Sequence, residues 1–195
     1  MSLTYGGVTP TVVAETTYLQ YTEHVARDTG GGLVRGHGVC LTLVFDWVAK
    51  CKLHGSVTDA SQLKSGLSLT LAHTNYLLDI RKMKESEASA GDLAGVGLGH
   101  RMWPSQRWRS GRWGNPVIKL VTKTAGIRGF AKIAVFGSGA GHAFGYRNAD
   151  VTEFFDPNVG ILQFESPQEY VKWAPDFLNH VYPFLLEWGI VTPIA

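Results

Sequence analysis

Gly38-Val39-Cys40-Leu41-Thr42-Leu43-Val44-Phe45-Asp46-Trp47-Val48-Ala49-Lys50 is the stretch that decides the fold. A segment carrying Gly32, Gly36 and Gly38 runs directly into an apolar pattern. Leu41, Val44, Phe45 and Val48 recur at i, i+3, i+4 and i+7, the period of a buried helix face. Leu43 and Trp47 widen the stripe, so the helix is expected to be covered on most sides. Cys40 stands at its first turn. N–H groups there have no acceptor within the helix and carry the positive end of its dipole, which favours a thiolate. Taken alone, Cys40 reads first as a small buried hydrophobe, because free cysteine is among the most buried residue types.

The rest of the chain bounds this reading. With 195 residues, 45% apolar and 17% charged, the sequence describes one ordered domain, residues 1–195, able to bury a substantial core. A net charge of +2 is too small to argue for nucleic acid. Cys40 and Cys51 are the only cysteines. On one helix they would lie about 16 Å apart, at 1.5 Å per residue, beyond disulfide reach. Both thiols are expected to be free, which suits a reducing compartment. No stretch approaches the roughly 18 apolar residues of a membrane span. Met1-Ser2-Leu3-Thr4-Tyr5-Gly6-Gly7 lacks the basic and apolar regions of a signal peptide. The protein is expected either to stay in the cytoplasm or to leave by a route without a cleavable signal.

In chain order, a short strand is expected at Thr11–Ala14, a short helix at Thr22–Arg27, and the central helix from Cys40 to about Lys52, ending before Gly55. A second helix is expected from Asp59 or Ser61, either a fair N-cap, to about Glu87, with Leu63, Leu67, Leu71 and Leu78 on one side. Residues 88–116 lack periodicity and read as a long surface excursion. That excursion interleaves Trp103, Trp108 and Trp113 with Arg101, Arg107, Arg109 and Arg112. From Leu93 to Ala149 there are nine Lys or Arg and no carboxylate, so basic charge is segregated there. After Pro116 the texture is that of short strands: Val117–Val121, Ala131–Phe136, His142–Arg147, Val151–Phe155 and Gly160–Glu165, spaced as an antiparallel meander. Gly137–Gly141 reads as a turn, since a phosphate loop would lead into a helix. A last helix is expected from Pro167 to about Trp188. Ser166 would be its N-cap, Glu169 the capping-box partner, and Pro175 and Pro183 would break or kink it.

Two further stretches carry chemistry: Gly139-Ala140-Gly141-His142-Ala143-Phe144-Gly145-Tyr146 and Glu153-Phe154-Phe155-Asp156-Pro157-Asn158-Val159-Gly160. A histidine opening one strand and an aspartate ending the next can be neighbours across a hairpin. Asp156 would then hold one ring nitrogen of His142 and leave the other to face a thiol. That is the logic of nucleophile, base and orienting acid. Singly, His142 is an ordinary strand histidine and Asp156-Pro157-Asn158 a good turn former.

Together, GVC entering an apolar helix, GHAFGY and FFDPNVG resemble the three catalytic blocks of the YopT-type (AvrPphB-like) papain-like cysteine peptidases of bacterial effectors. The separations of 102 and 14 residues suit that pattern. The resemblance implies an α+β fold, with an antiparallel sheet packed against helices and the nucleophile at the N-terminus of a central buried helix. It implies Cys40 as nucleophile, His142 as base then acid, and Asp156 as the residue orienting His142. The oxyanion would be held by the Cys40 backbone N–H and a side-chain donor. The family places Asn or Gln a few residues before the cysteine. This chain has Arg35, Gly36, His37 and Gly38 there, which leaves Arg35, His37 or the more distant Gln20 as candidates.

The resemblance implies a thiol hydrolase acting on a protein substrate, a cysteine protease delivered as a bacterial effector or toxin, without metal or cofactor. A glutamine deamidase or acyl transferase on the same fold, and a catalytically silent binding module, are the alternatives. Such a protein would be a monomer, carried by a specialised secretion system into the cytosol of a target cell and acting on a regulatory protein there. Trp103, Arg107, Trp108, Arg109, Arg112 and Trp113 are the candidate contact with an anionic protein or membrane surface. Nucleic acid is disfavoured as a partner by the small net charge.

Overall fold

The computed structural model describes residues 3–16, 39–63, 69, 71, 73, 106–109, 116–137, 140–186 and 188–194. Among the described residues seven strands form one sheet: β1 Thr11–Glu15, β2 Gln106–Arg109, β3 Gly129–Gly137, β4 Ala140–Asn148, β5 Thr152–Asp156, β6 Gly160–Phe164 and β7 Trp188–Ile194. Their order is β1-β6-β5-β4-β3-β7-β2, and every neighbouring pair is antiparallel. The expected meander is the run β3 to β6, in which consecutive strands are neighbours.

Helix α1, Cys40–His54, lies against one face of the sheet. Leu43, Val44, Trp47 and Val48 are fully enclosed, together with Ala143, Phe155 and Ile161 from the strands. Complete burial of each such side chain stabilises by about 1.5–3 kcal/mol. Gly55 ends the helix with φ +83°, a left-handed value that glycine adopts without strain. Helices α2, Pro116–Ala125, and α3, Pro167–Val181, cover the opposite face. There Tyr170, Trp173, Ala174, Phe177 and Leu178 of α3 meet Phe144, Tyr146, Phe154 and Leu162. One strand residue in two faces each core, as the pleat dictates.

Several expectations are corrected. Val117–Val121 is not a strand but lies inside α2. Val117, Leu120, Val121 and Thr124 are buried at helical spacing, while Ile118, Lys119, Thr122 and Lys123 face outward. Five residues rich in β-branched side chains mimic a strand; ten residues starting at Pro116 show the helical period. Asp59 caps only a 3-10 turn, Ala60–Gln62, through Ser61 N–H and a capping box with Gln62. Leu63 is then extended, so no long helix starts there, although Leu69, Leu71 and His73 are helical. The remaining positions of that expected helix, and Thr22–Arg27, lie outside the described residues.

The excursion 88–116 is not loop throughout. Gln106–Arg109 pairs with β7, from Gln106 opposite Val191 to Arg109 opposite Trp188. The last helix stops at Val181, and Trp188 belongs to β7. It runs through Pro175 without ending, and Pro183 opens a 3-10 turn. Ser166 accepts from Glu169 N–H as expected, but the Glu169 carboxylate accepts from Glu165 N–H, one residue before the cap. Gly137 pairs with Ala140, so Gly137–Gly141 straddles the β3–β4 hairpin.

Candidate active site

His142 lies near the start of β4 and Asp156 ends β5, at the same end of the sheet. Counting on from Gly145 opposite Phe155 puts Phe144 opposite Asp156, with His142 two residues further along. His142, Phe144 and Asp156 therefore share the α3 face of the sheet. His142 Nε2–H donates to Asp156 Oδ1 at 2.9 Å, and both side chains are buried. Nδ1 is then the ring nitrogen left for Cys40, whose thiol comes within hydrogen-bonding reach of the imidazole from the N-terminus of α1. Cys40 packs in the α1 core, while His142 rests on Phe144 and Tyr182 of the α3 core. The three side chains thus meet where the two cores approach each other at one end of the sheet.

α1 can deliver its N-terminus there because Gly145 lets it approach β4. A Cβ on Gly145 would lie 2.5 Å from Trp47 Cζ3, well inside contact distance. Asp156 is presented by a tight turn. Its Oδ1 accepts from Asn158 N–H at 2.9 Å, an Asx turn, and its backbone carbonyl accepts from Val159 N–H. Thr16 Oγ1 donates to the carbonyls of Asp156 and Pro157, which ties the turn to the end of β1. Gly160 follows with φ +137°, and a Cβ there would strike Ala14 O.

Burial works against charge on His142, but the Cys40 sulfur and the Asp156 carboxylate outweigh it and raise the ring's pKa to about 10. The site therefore favours imidazolium beside a sulfur. Cys51, about three turns further along the same helix, is driven the other way. Burial and the nearby Glu153 push its thiol up to about 12. Neither cysteine is in a disulfide.

Two residues of the site had not been singled out in the sequence. Asn158 was legible only as part of a turn, although its spacing from Asp156 is that of an Asx turn. Tyr182, at the C-cap of α3, carries no local signal: its hydroxyl donates to Asp156 Oδ2 at 2.7 Å and its ring stacks on His142. The oxyanion candidates Arg35, His37 and Gln20 lie outside the described residues, as do Trp103, Arg112 and Trp113. Arg107, Trp108 and Arg109 lie in β2 at the edge of the sheet.

Residues 119–183 match a peptidase family described as Yersinia/Haemophilus virulence surface antigen. The segment contains His142 and Asp156. The fold matches the crystal structure of the Pseudomonas avirulence protein AvrPphB with a TM-score of 0.62, at 14% identity, over 88% of this chain and 94% of that one. It also matches PatoxP, a cysteine protease-like domain of the Photorhabdus asymbiotica toxin PaTox, with a TM-score of 0.46 at 11% identity. That match covers 92% of this chain and 52% of the other. No curated protein matches by sequence. The α+β, papain-like arrangement is shown by the AvrPphB likeness. The family match takes in two of the three sequence blocks, those of His142 and Asp156, and the Cys40 block lies outside it.

Proposed function

We propose that this protein is a thiol hydrolase, a cysteine protease that acts on a protein substrate after delivery into a target cell. The observation that carries the reading is the buried His142 held by Asp156 at 2.9 Å with the Cys40 thiol against its ring. The family match supports peptidase chemistry over the segment that supplies His142 and Asp156. The chain then acts as one catalytic domain, residues 1–195.

The steps follow from the placement of the groups. The Cys40 proton already resides on His142 Nδ1 in the imidazolium, and the sulfur attacks a carbonyl carbon. The carbonyl π electrons move to oxygen, giving a tetrahedral oxyanion. The Cys40 N–H, at the first turn of α1, donates to it, with a second donor from Arg35, His37 or Gln20. Collapse breaks the C–N bond, and imidazolium protonates the departing amine. Water, deprotonated by His142, then attacks the thioester carbonyl and expels the sulfur. Asp156 holds the ring and stabilises the imidazolium in each half.

Asp156→Asn should reduce turnover by about 100-fold or more, because the ring loses its orienting charge. The substrate itself is contacted by the segment around β2, whose Arg107, Trp108 and Arg109 suit an anionic protein surface. The test is N-terminal peptide mapping of a target-cell lysate treated with the wild type or Cys40→Ala. New termini made only by the wild type are expected. Glutamines converted to glutamate with no new termini would mean a deamidase instead, and no difference between the two proteins would overturn the enzyme reading.

A further inference from the structure

Asp156 is fully buried, so each of its carboxylate oxygens needs a donor. Oδ1 has two, His142 Nε2–H and Asn158 N–H. Among the described residues Oδ2 has one, the Tyr182 hydroxyl at 2.7 Å. That hydroxyl has a single proton, and its direction is set from the other side. The Asn158 amide nitrogen donates to the Tyr182 oxygen at 2.9 Å, and an amide N–H offers nothing that could accept in return. The proton is therefore committed to Asp156. Burial also raises the Tyr182 pKa above its ordinary range, so the group remains a donor.

The ring does separate work. It stacks on His142 with centroids 4.9 Å apart and planes 19° from parallel. Phe144 meets the same imidazole edge-on, 4.7 Å away at 82°. A ring tied at Nε2, stacked on one partner and met edge-on by another cannot turn about its own axis without losing these contacts. Tyr182 is fixed in turn: its N–H bonds Leu178 O at the end of α3, and its carbonyl accepts from Leu185 N–H.

We propose that Tyr182 is a positioning residue for the Cys40–His142–Asp156 centre, its hydroxyl holding the Asp156 carboxylate toward His142 and its ring holding the imidazole so that Nδ1 faces Cys40. This rests on the thiol-hydrolase reading, but its test needs no substrate. Among the described residues, the titratable groups that face His142 are Cys40 from α1, Asp156 from β5 and Tyr182 after α3.

The experiment is the rate of Cys40 alkylation by iodoacetamide against pH, read by peptide mapping, with thermal unfolding alongside. In the wild type the profile should carry a limb where the ring deprotonates. Tyr182→Phe should unfold within a few degrees of the wild type, yet its limb should fall by about one pH unit, the tenfold worth of one hydrogen bond to a charged group. The limb moves to lower pH because a less stabilised imidazolium gives up its proton sooner. Since Tyr182 acts through Asp156, the double variant Tyr182→Phe/Asp156→Asn should be no worse than Asp156→Asn alone. If Tyr182→Phe does not fold, Asn158→Ala, which frees the hydroxyl to turn away, should lower the same limb. A variant profile that superimposes on that of the wild type, or losses that multiply in the double variant, overturns the positioning role alone. A wild-type Cys40 no more reactive at neutral pH than a free cysteine peptide overturns the thiol-hydrolase reading, and this proposal with it.

Discussion

At the scale of single residues, the same helix holds two buried thiols in opposite electrical settings. Cys40 faces an imidazole that its own sulfur and Asp156 keep protonated, whereas Cys51 sits in a low-dielectric layer beside Glu153. Alkylating reagents attack thiolate, so iodoacetamide at neutral pH should modify Cys40 and leave Cys51 untouched until the fold opens. Equal labelling in peptide maps of the native protein would contradict this. The raised pKa of His142 also fixes a sign. The folded value, about 10, lies above the ordinary 6.5. The stability contributed by the imidazolium is thus fully present below about pH 6.5 and lost as pH rises through about 10. Ring nitrogen shifts in NMR spectra should still report imidazolium at about pH 8 for a residue with this shift. Asp156→Asn should lower that titration point, and a neutral ring at pH 7 in the wild type would refute the account.

At the scale of elements, the geometry depends on how closely α1 lies on β4 and how its far end is held. Gly145→Ala would drive a methyl group into the buried Trp47 ring. Overpacking of this kind costs about 1–3 kcal/mol. Because the helix must shift to relieve it, Cys40 alkylation should slow as well, measured against a denaturant midpoint that falls. The C-terminal end of α1 is tied to the β4–β5 hairpin by Arg147. Its guanidinium donates to Gly55 O at 2.7 Å, to the buried Glu153 at 3.3 Å and to Asp150 at 2.7 Å. Arg147→Met would leave Glu153 buried without its cation, a loss of about 3 kcal/mol by analogy with other broken buried pairs. Burial already raises the Glu153 pKa even with Arg147 present. Without the cation it rises further, so the deficit should be largest at neutral pH and shrink as acid protonates Glu153. Denaturant titrations at several pH values check this, and a deficit that grows toward acid would contradict it.

At the scale of the whole molecule, His142 and Asp156 belong to β4 and β5, which have neighbours on both sides, while β1 and β2 form the edges among the described residues. Interior strands open only with the global transition, whereas edges fray. Hydrogen exchange should therefore be slowest in β3, β4 and β5 and fastest in β1 and β2. Rapid exchange at the His142 end of β4 would contradict a site held rigid before substrate binds.

Local sequence determined the elements whose cause is local. The period of Leu41, Val44, Phe45 and Val48 dictates α1, Ser166-Pro167 starts α3, and alternation with turn residues lays out the β3–β6 meander. The three blocks around Cys40, His142 and Asp156 were legible too, because each couples a chemical side chain to a local backbone form. Other features were decided by partners distant in the chain. The segment 106–109 is a strand because β7 lies beside it, and β7 itself was hidden at the end of an apparent helix. Pro116–Ala125 carries a helical period over its ten residues, but which face is buried, Val117, Leu120 and Val121, is set by the sheet beneath it. Tyr182 reaches Asp156 across 26 residues by the angle at which α3 ends. Periodicity records which face of an element is buried, but carries no record of what is buried against it. Only the packed sheet brings one core's cysteine to the other core's imidazole.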